Sequence, residues 1–141
     1  MDLSSNFRML ALYNLRMNKQ LLGVCSKLTH EQLHQNTNSF FPTIMAHWNH
    51  ILFGDLIMLQ RLVANELVSV EATVLEKLPV SKSVSDTFAS NLDELSELRE
   101  LVDSIYIDIT NQFTADSCNQ IVRYTTTEGP VSYTHLRAHE T

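Results

Sequence analysis

The sequence predicts an all-α protein built on three long helices, and three observations carry that expectation. Apolar residues recur at steps of three and four through three segments of more than twenty residues each, the period of a helix with one buried face. Three glycines and three prolines among 141 residues are too few turn formers for a β-sandwich or a barrel. Hydrophobic residues at 44% against charged residues at 18% are enough for a single domain with its own core.

The first segment is residues 5–28. Phe7, Leu10, Met17, Leu21, Val24 and Leu28, joined by Ala11, Leu22 and Cys25, are expected on its inner side, with Ser4 or Ser5 as the N-cap. Asn14 interrupts this stripe, and a buried amide must find partners or cost about 1–3 kcal/mol. It reads as a satisfied interhelical bond or as support for a site. Thr29 and Gln32 have capping-box spacing and open a short turn to about residue 36. His30 and His34 lie one turn apart there, on what reads as a solvated face.

The second helix is expected from Pro42 to residue 64, with Phe40 and Phe41 stapling its start. Ile44, Trp48, Ile51, Leu52, Asp55, Leu59 and Leu62 share one broad face. Gly54, costly in mid-helix, is expected to permit close approach of a helix or a ligand. Residues 65–86 read as a crossover containing one short helix. The third helix spans residues 87–113, with Leu92, Leu95, Leu98, Val102, Ile105, Ile109 and Phe113 facing inward. Asp93, Glu94, Glu97, Glu100 and Asp103, with Arg99, read as its solvated outer face, although Glu100 and Asp103 could together hold a cation. A turn with a short helix follows at 114–116, then a strand at 121–127 closed by Gly129-Pro130. A four-helix bundle needs one more helix, and only eleven residues remain.

Charge and cysteine content narrow the function. Ten Lys+Arg against sixteen Asp+Glu give a net charge of −6 with no cationic cluster, so nucleic acid is not the expected partner. Cys25 and Cys118 form no CxxC, and the start lacks a signal-peptide pattern. No apolar run approaches a membrane span. The expectation is a soluble, cytoplasmic protein with reduced thiols.

The chemistry centres on His47 and His50, three apart and on nearly one face of the second helix. An imidazole inside a bundle can hold a metal completed from another helix, although this spacing alone fits packed histidines equally well. Asp55 lies about 140° around from His50, which makes it a poor co-ligand and a better tie between helices. His135 and His139 are spaced i, i+4 and could chelate if helical; with His50 they would make three imidazoles and leave coordination positions open.

Taken together, Tyr13-Asn14 with Asn18, Phe40-Phe41-Pro42, Asn49-His50-Ile51-Leu52 with Asp55 and Leu59, Leu98-Arg99-Glu100-Leu101-Val102-Asp103, and Arg123-Tyr124-Thr125-Thr126 with Gly129 resemble the DinB-like family over about residues 6 to 130. The resemblance implies an up-down four-helix bundle, here with three long helices and an incomplete fourth. It further implies a divalent metal (Zn, Ni or Fe) on three histidines, the first of them His50, with His47 only a neighbour. Related bundles include thiol-dependent transferases and isomerases using bacillithiol, mycothiol or glutathione, and dimers are common. By that likeness the parent is a metal-dependent thiol transferase or hydrolase acting on a low-molecular-weight thiol and a small electrophile. A non-catalytic helical interaction module is the alternative. The family's last two ligands sit in a stretch of the form HxxNHxxHHRGQ, which this sequence lacks. Residues 1–130 therefore read as a C-terminally truncated bundle and 131–141 as a non-native tail, with the metal lost and the fragment inactive. His135 and His139 are the further ligands this sequence offers.

Overall fold

The computed structural model describes residues 2–126 in full and the backbone of residues 129–135. Along the chain stand α1 (Leu3–Cys25), α2 (His30–Leu33), α3 (Ile44–Ala64), α4 (Ala72–Leu75), α5 (Leu92–Gln112), α6 (Ala115–Cys118), β1 (Ile121–Thr126) and β2 (Gly129–His135). The fold is predominantly helical, and α1, α3 and α5 are the three helices that the periodicity predicts. Their starts are set by caps, since the first turn of a helix leaves its N–H groups without partners. Asp2, not Ser4 or Ser5, closes α1 by accepting from the Ser5 N–H. The Ser4 hydroxyl and Ser5 N–H donate to that carboxylate and hold its pKa at about 2. Thr43 caps α3 just after Pro42, and Asn91 caps α5 several residues later than the pattern suggests.

Helix α5 is central. It packs along α1 and also against α3, whereas α1 and α3 meet only sparsely. One core cluster joins Trp48, Leu52 and Leu56 of α3 to Leu95 and Val102 of α5 and to Cys25 and Leu33. The second, at the other end, joins Leu59 and Leu62 to Ile105, Ile109, Phe113, Cys118 and Val122. Each fully buried aliphatic side chain contributes about 1.5–3 kcal/mol. The strand expected near residue 121 forms and pairs antiparallel with β2, with an irregularity between Val122 and Tyr124. This hairpin is tied to the end of α3, where the Asn65 amide both accepts from the Arg123 N–H and donates to the Arg123 carbonyl. Arg61 stacks on the Tyr124 ring nearby.

Four further expectations need correcting. Leu10, Met17, Leu21 and Val24 are exposed, while Ser4, Ala11, Asn18 and Cys25 form the buried line of α1. Apolar residues cover much of this helix, and the side with small and amide residues is the one that fits against α5. Around Gly54 an added Cβ would meet nothing, so no close approach requires it. Phe40 is exposed; Phe41 instead packs on His50. Finally, Arg99 and Asp103 are buried, not on the solvated face of α5. No helix among the described residues is long and apolar enough to cross a membrane.

Candidate functional site

His50 projects from the second turn of α3, where Phe41 stacks on its ring at 4.1 Å between centroids. Its Nδ1 is enclosed and has no hydrogen-bond partner among the described residues. A buried nitrogen of this kind normally has one, so it is an unengaged donor or acceptor. The neighbouring groups are occupied. His47 lies edge-on to Phe41 and within 3.2 Å of the Ser39 hydroxyl. The Asn49 amide accepts from the Phe88 and Ala89 N–H groups and donates to the Met45 and Ala89 carbonyls. The described residues contain no cluster of three His, Cys, Asp or Glu side chains able to hold a metal. They therefore fit one metal ligand at His50, and a catalytic metal needs about three.

Of the other candidate ligands, His135 is the last residue of β2, in strand and not helical backbone. Its hairpin is fastened at Asn65, about 22 Å along α3 from His50 at 1.5 Å per residue. His139 lies outside the described residues, as do most of the remaining residues of the 131–141 segment. The surface pair His30, the first residue of α2, and His34, its C-cap, lie with ring centroids 4.2 Å apart.

A second polar centre lies deeper, between the helices. Arg99, 1% exposed, donates from Nε and Nη2 to Asp103 Oδ1 at 3.1 and 2.7 Å, and from Nη2 to Asp55 Oδ2. Asp103, 2% exposed, also accepts from Asn18 at 3.1 and 3.2 Å and from Asn14 at 3.4 Å. Asp55 thus ties α3 to α5; Asn14, expected as a buried amide, is exposed and reaches Asp103 only at 3.4 Å, and the buried interhelical amide of α1 is Asn18. The Tyr106 hydroxyl donates to the Asp55 backbone carbonyl. Sequence reasoning missed Arg99 and Asp103 as a core pair. Their i, i+4 spacing was a usable signal once Asp55 stood on the apolar face of α3.

The charges in this cluster do not cancel. Two carboxylates share one guanidinium, and among the described residues no other cation pairs with them. Burial raises the Asp55 pKa above its ordinary value of 3.8; Arg99 opposes the rise and Asp103 adds to it. Arg99, facing two carboxylates, is held further toward its charged form despite its burial. Because folded Asp55 binds its proton more tightly than unfolded Asp55, its contribution to stability is larger at acid pH. It falls as pH rises from the unfolded toward the folded pKa. Asp55→Asn keeps an acceptor for Arg99 and removes this titration. In urea melts between pH 4 and pH 7, the variant is expected to gain on wild type as pH rises; a constant gap would refute this.

Beside the cluster, α1, α3 and α5 enclose a trough of about 200 Å³. Its sides are mostly apolar, with Phe7, Met58, Leu62 and Phe113 among them, and Asn14 and Asp55 bring polar groups to it.

The family model described as the DinB family matches residues 2–139. No curated protein and no solved structure matches the chain.

Proposed function

The chain belongs to the DinB family, and from that premise we propose that it is a divalent-metal-binding protein in which His50 supplies one imidazole. The observation that supports this reading is the enclosed His50 Nδ1, unpaired against Phe41 while the polar groups around it are engaged. His135 and His139 are the candidates assigned to complete the set, and Zn, Ni or Fe the candidate ions. A bound ion of this kind acidifies a water or a thiol. The activity we assign is thiol transfer or hydrolysis, with a low-molecular-weight thiol and a small electrophile as substrates, in a cytoplasmic homodimer. One described imidazole does not by itself hold a catalytic metal, and no reaction step follows from it.

Titration with Zn²⁺ against a chromophoric chelator tests the assignment. Loss of even an outer-shell partner costs about 10–100-fold in affinity, so His50→Ala is expected to weaken binding by about tenfold or more. Equal affinities for wild type and variant would end the metal reading at His50. His135→Ala and His139→Ala test the other two positions in the same assay.

One observation favours a second reading, a helical interaction module without metal. Met9, Leu10, Tyr13, Met17, Leu21 and Val24 leave an exposed apolar strip along α1. Concentration-dependent sedimentation together with no Zn²⁺ binding would favour it.

A further inference from the structure

We propose that the trough between α1, α3 and α5 binds a small primary ammonium with a short apolar body, its charged end at Asp55 and Asn14. The volume, about 200 Å³, corresponds to roughly six or seven water molecules of liquid, which suits a ligand of a few heavy atoms and not a polypeptide segment. Its walls include Phe7, Ala11, Met58, Leu62 and Phe113, which select an apolar body.

The polar groups select the charge. The Tyr106 hydroxyl is committed to the Asp55 backbone carbonyl, and the Thr110 hydroxyl to carbonyls of its own helix. Asp55 gives one carboxylate oxygen to Arg99, and its side chain stays 29% exposed. Asn14 directs its amide N–H toward Asp103, leaving its carbonyl oxygen as an acceptor. A ligand entering here meets acceptors that an ammonium, with three N–H donors, can satisfy. The second, independent argument is charge balance. Among the described residues Asp55 and Asp103 pair with Arg99 alone, so with both carboxylates ionised the cluster beside the trough carries one uncompensated negative charge. Among the described residues no Lys, Arg or His lines the trough; Arg99 stands behind Asp55, donating to its Oδ2 and leaving the other carboxylate oxygen for the ligand. A neutral or anionic ligand of the same shape leaves that charge uncompensated.

The site is separate from His50, so its test is independent of the metal reading; His50→Ala is expected to bind the amine as wild type does. The probe is pentylammonium chloride, followed by calorimetry and by amide chemical shifts at neutral pH, with 1-pentanol as the neutral isostere. Pentylammonium is expected to bind at least about tenfold more tightly than pentanol, the scale of one charge-assisted hydrogen bond. Asp55→Asn is expected to abolish that preference. Ala11→Leu, which fills the trough, is expected to weaken both. Equal binding of amine and alcohol to wild type would overturn the proposal whether or not the variants fold. So would shifts that map away from Phe7, Met58 and Phe113. Tighter binding of Nα-acetyl-lysine methylamide than of pentylammonium would reassign the site to a lysine side chain of another polypeptide and overturn the small-ligand assignment.

Discussion

Arg99→Met is expected to destabilise the protein by about 3–5 kcal/mol at neutral pH, a large share of the 5–15 kcal/mol that holds an ordinary domain together. The methionine fills comparable space, so the loss is electrostatic. Asp55 and Asp103 would face each other across the α3–α5 contact with no cation between them, and Asp103 would keep only the Asn14 and Asn18 amides. Both carboxylates can escape by protonation. The deficit is therefore expected to shrink as pH falls from 7 toward 4 and to be partly recovered by adding Asp55→Asn and Asp103→Asn. Urea denaturation of the four proteins measures it. A loss below about 1 kcal/mol at pH 7, the scale of an exposed ion pair, would mean that water reaches the cluster and that it is not part of the core.

The three long helices were legible because their apolar residues keep a strict period, and period is local information. What was hidden depends on contacts between elements. Helix α1 carries apolar residues around so much of its circumference that two faces satisfy the pattern. Choosing between them required knowing that Asp103 stands opposite Asn18. The helix starts were displaced for a related reason. Asp2, Thr43 and Asn91 each precede residues that also look like plausible starts, and only the backbone geometry selects the cap. Arg99 and Asp103 look solvated in any reading that assigns charges to the surface by default. Asp55, by contrast, was identifiable as a tie between helices from its angle to His50, and the strand at Ile121–Thr126 from its β-branched run. The pairing of that strand with Gly129–His135 came from no local signal.

The two polar centres have different consequences for function. At His50 a single imidazole nitrogen is enclosed and unpaired, which leaves capacity for a ligand. At Asp55 nearly every donor is paired, yet the charge is unbalanced, which leaves capacity for a cation. Both side chains belong to α3, five residues apart, so the position of this helix governs both.

What fixes that position at its N-terminal end is Asn49, and Asn49→Ala is expected to cost about 3 kcal/mol. The amide uses its full bonding capacity on buried backbone. Its oxygen accepts from the Phe88 N–H at 2.7 Å and the Ala89 N–H at 3.0 Å, and its nitrogen donates to the Ala89 and Met45 carbonyls at 2.9 Å. Truncation to alanine would strand the Phe88 and Ala89 N–H groups and the Ala89 carbonyl, in a segment where Ala89 is 1% exposed. Each stranded buried group costs about 1–3 kcal/mol, less wherever water can enter. Asn49→Asp is expected to be harmful too, because it keeps the acceptor but sets a carboxylate against the Ala89 carbonyl. Hydrogen exchange localises the effect: the Phe88 and Ala89 amides should lose protection in the variant while those of central α5 keep it relative to global stability. If both amides exchange as slowly in Asn49→Ala as in wild type, the crossover is held by its apolar contacts, and Asn49 adds nothing to the placement of His50.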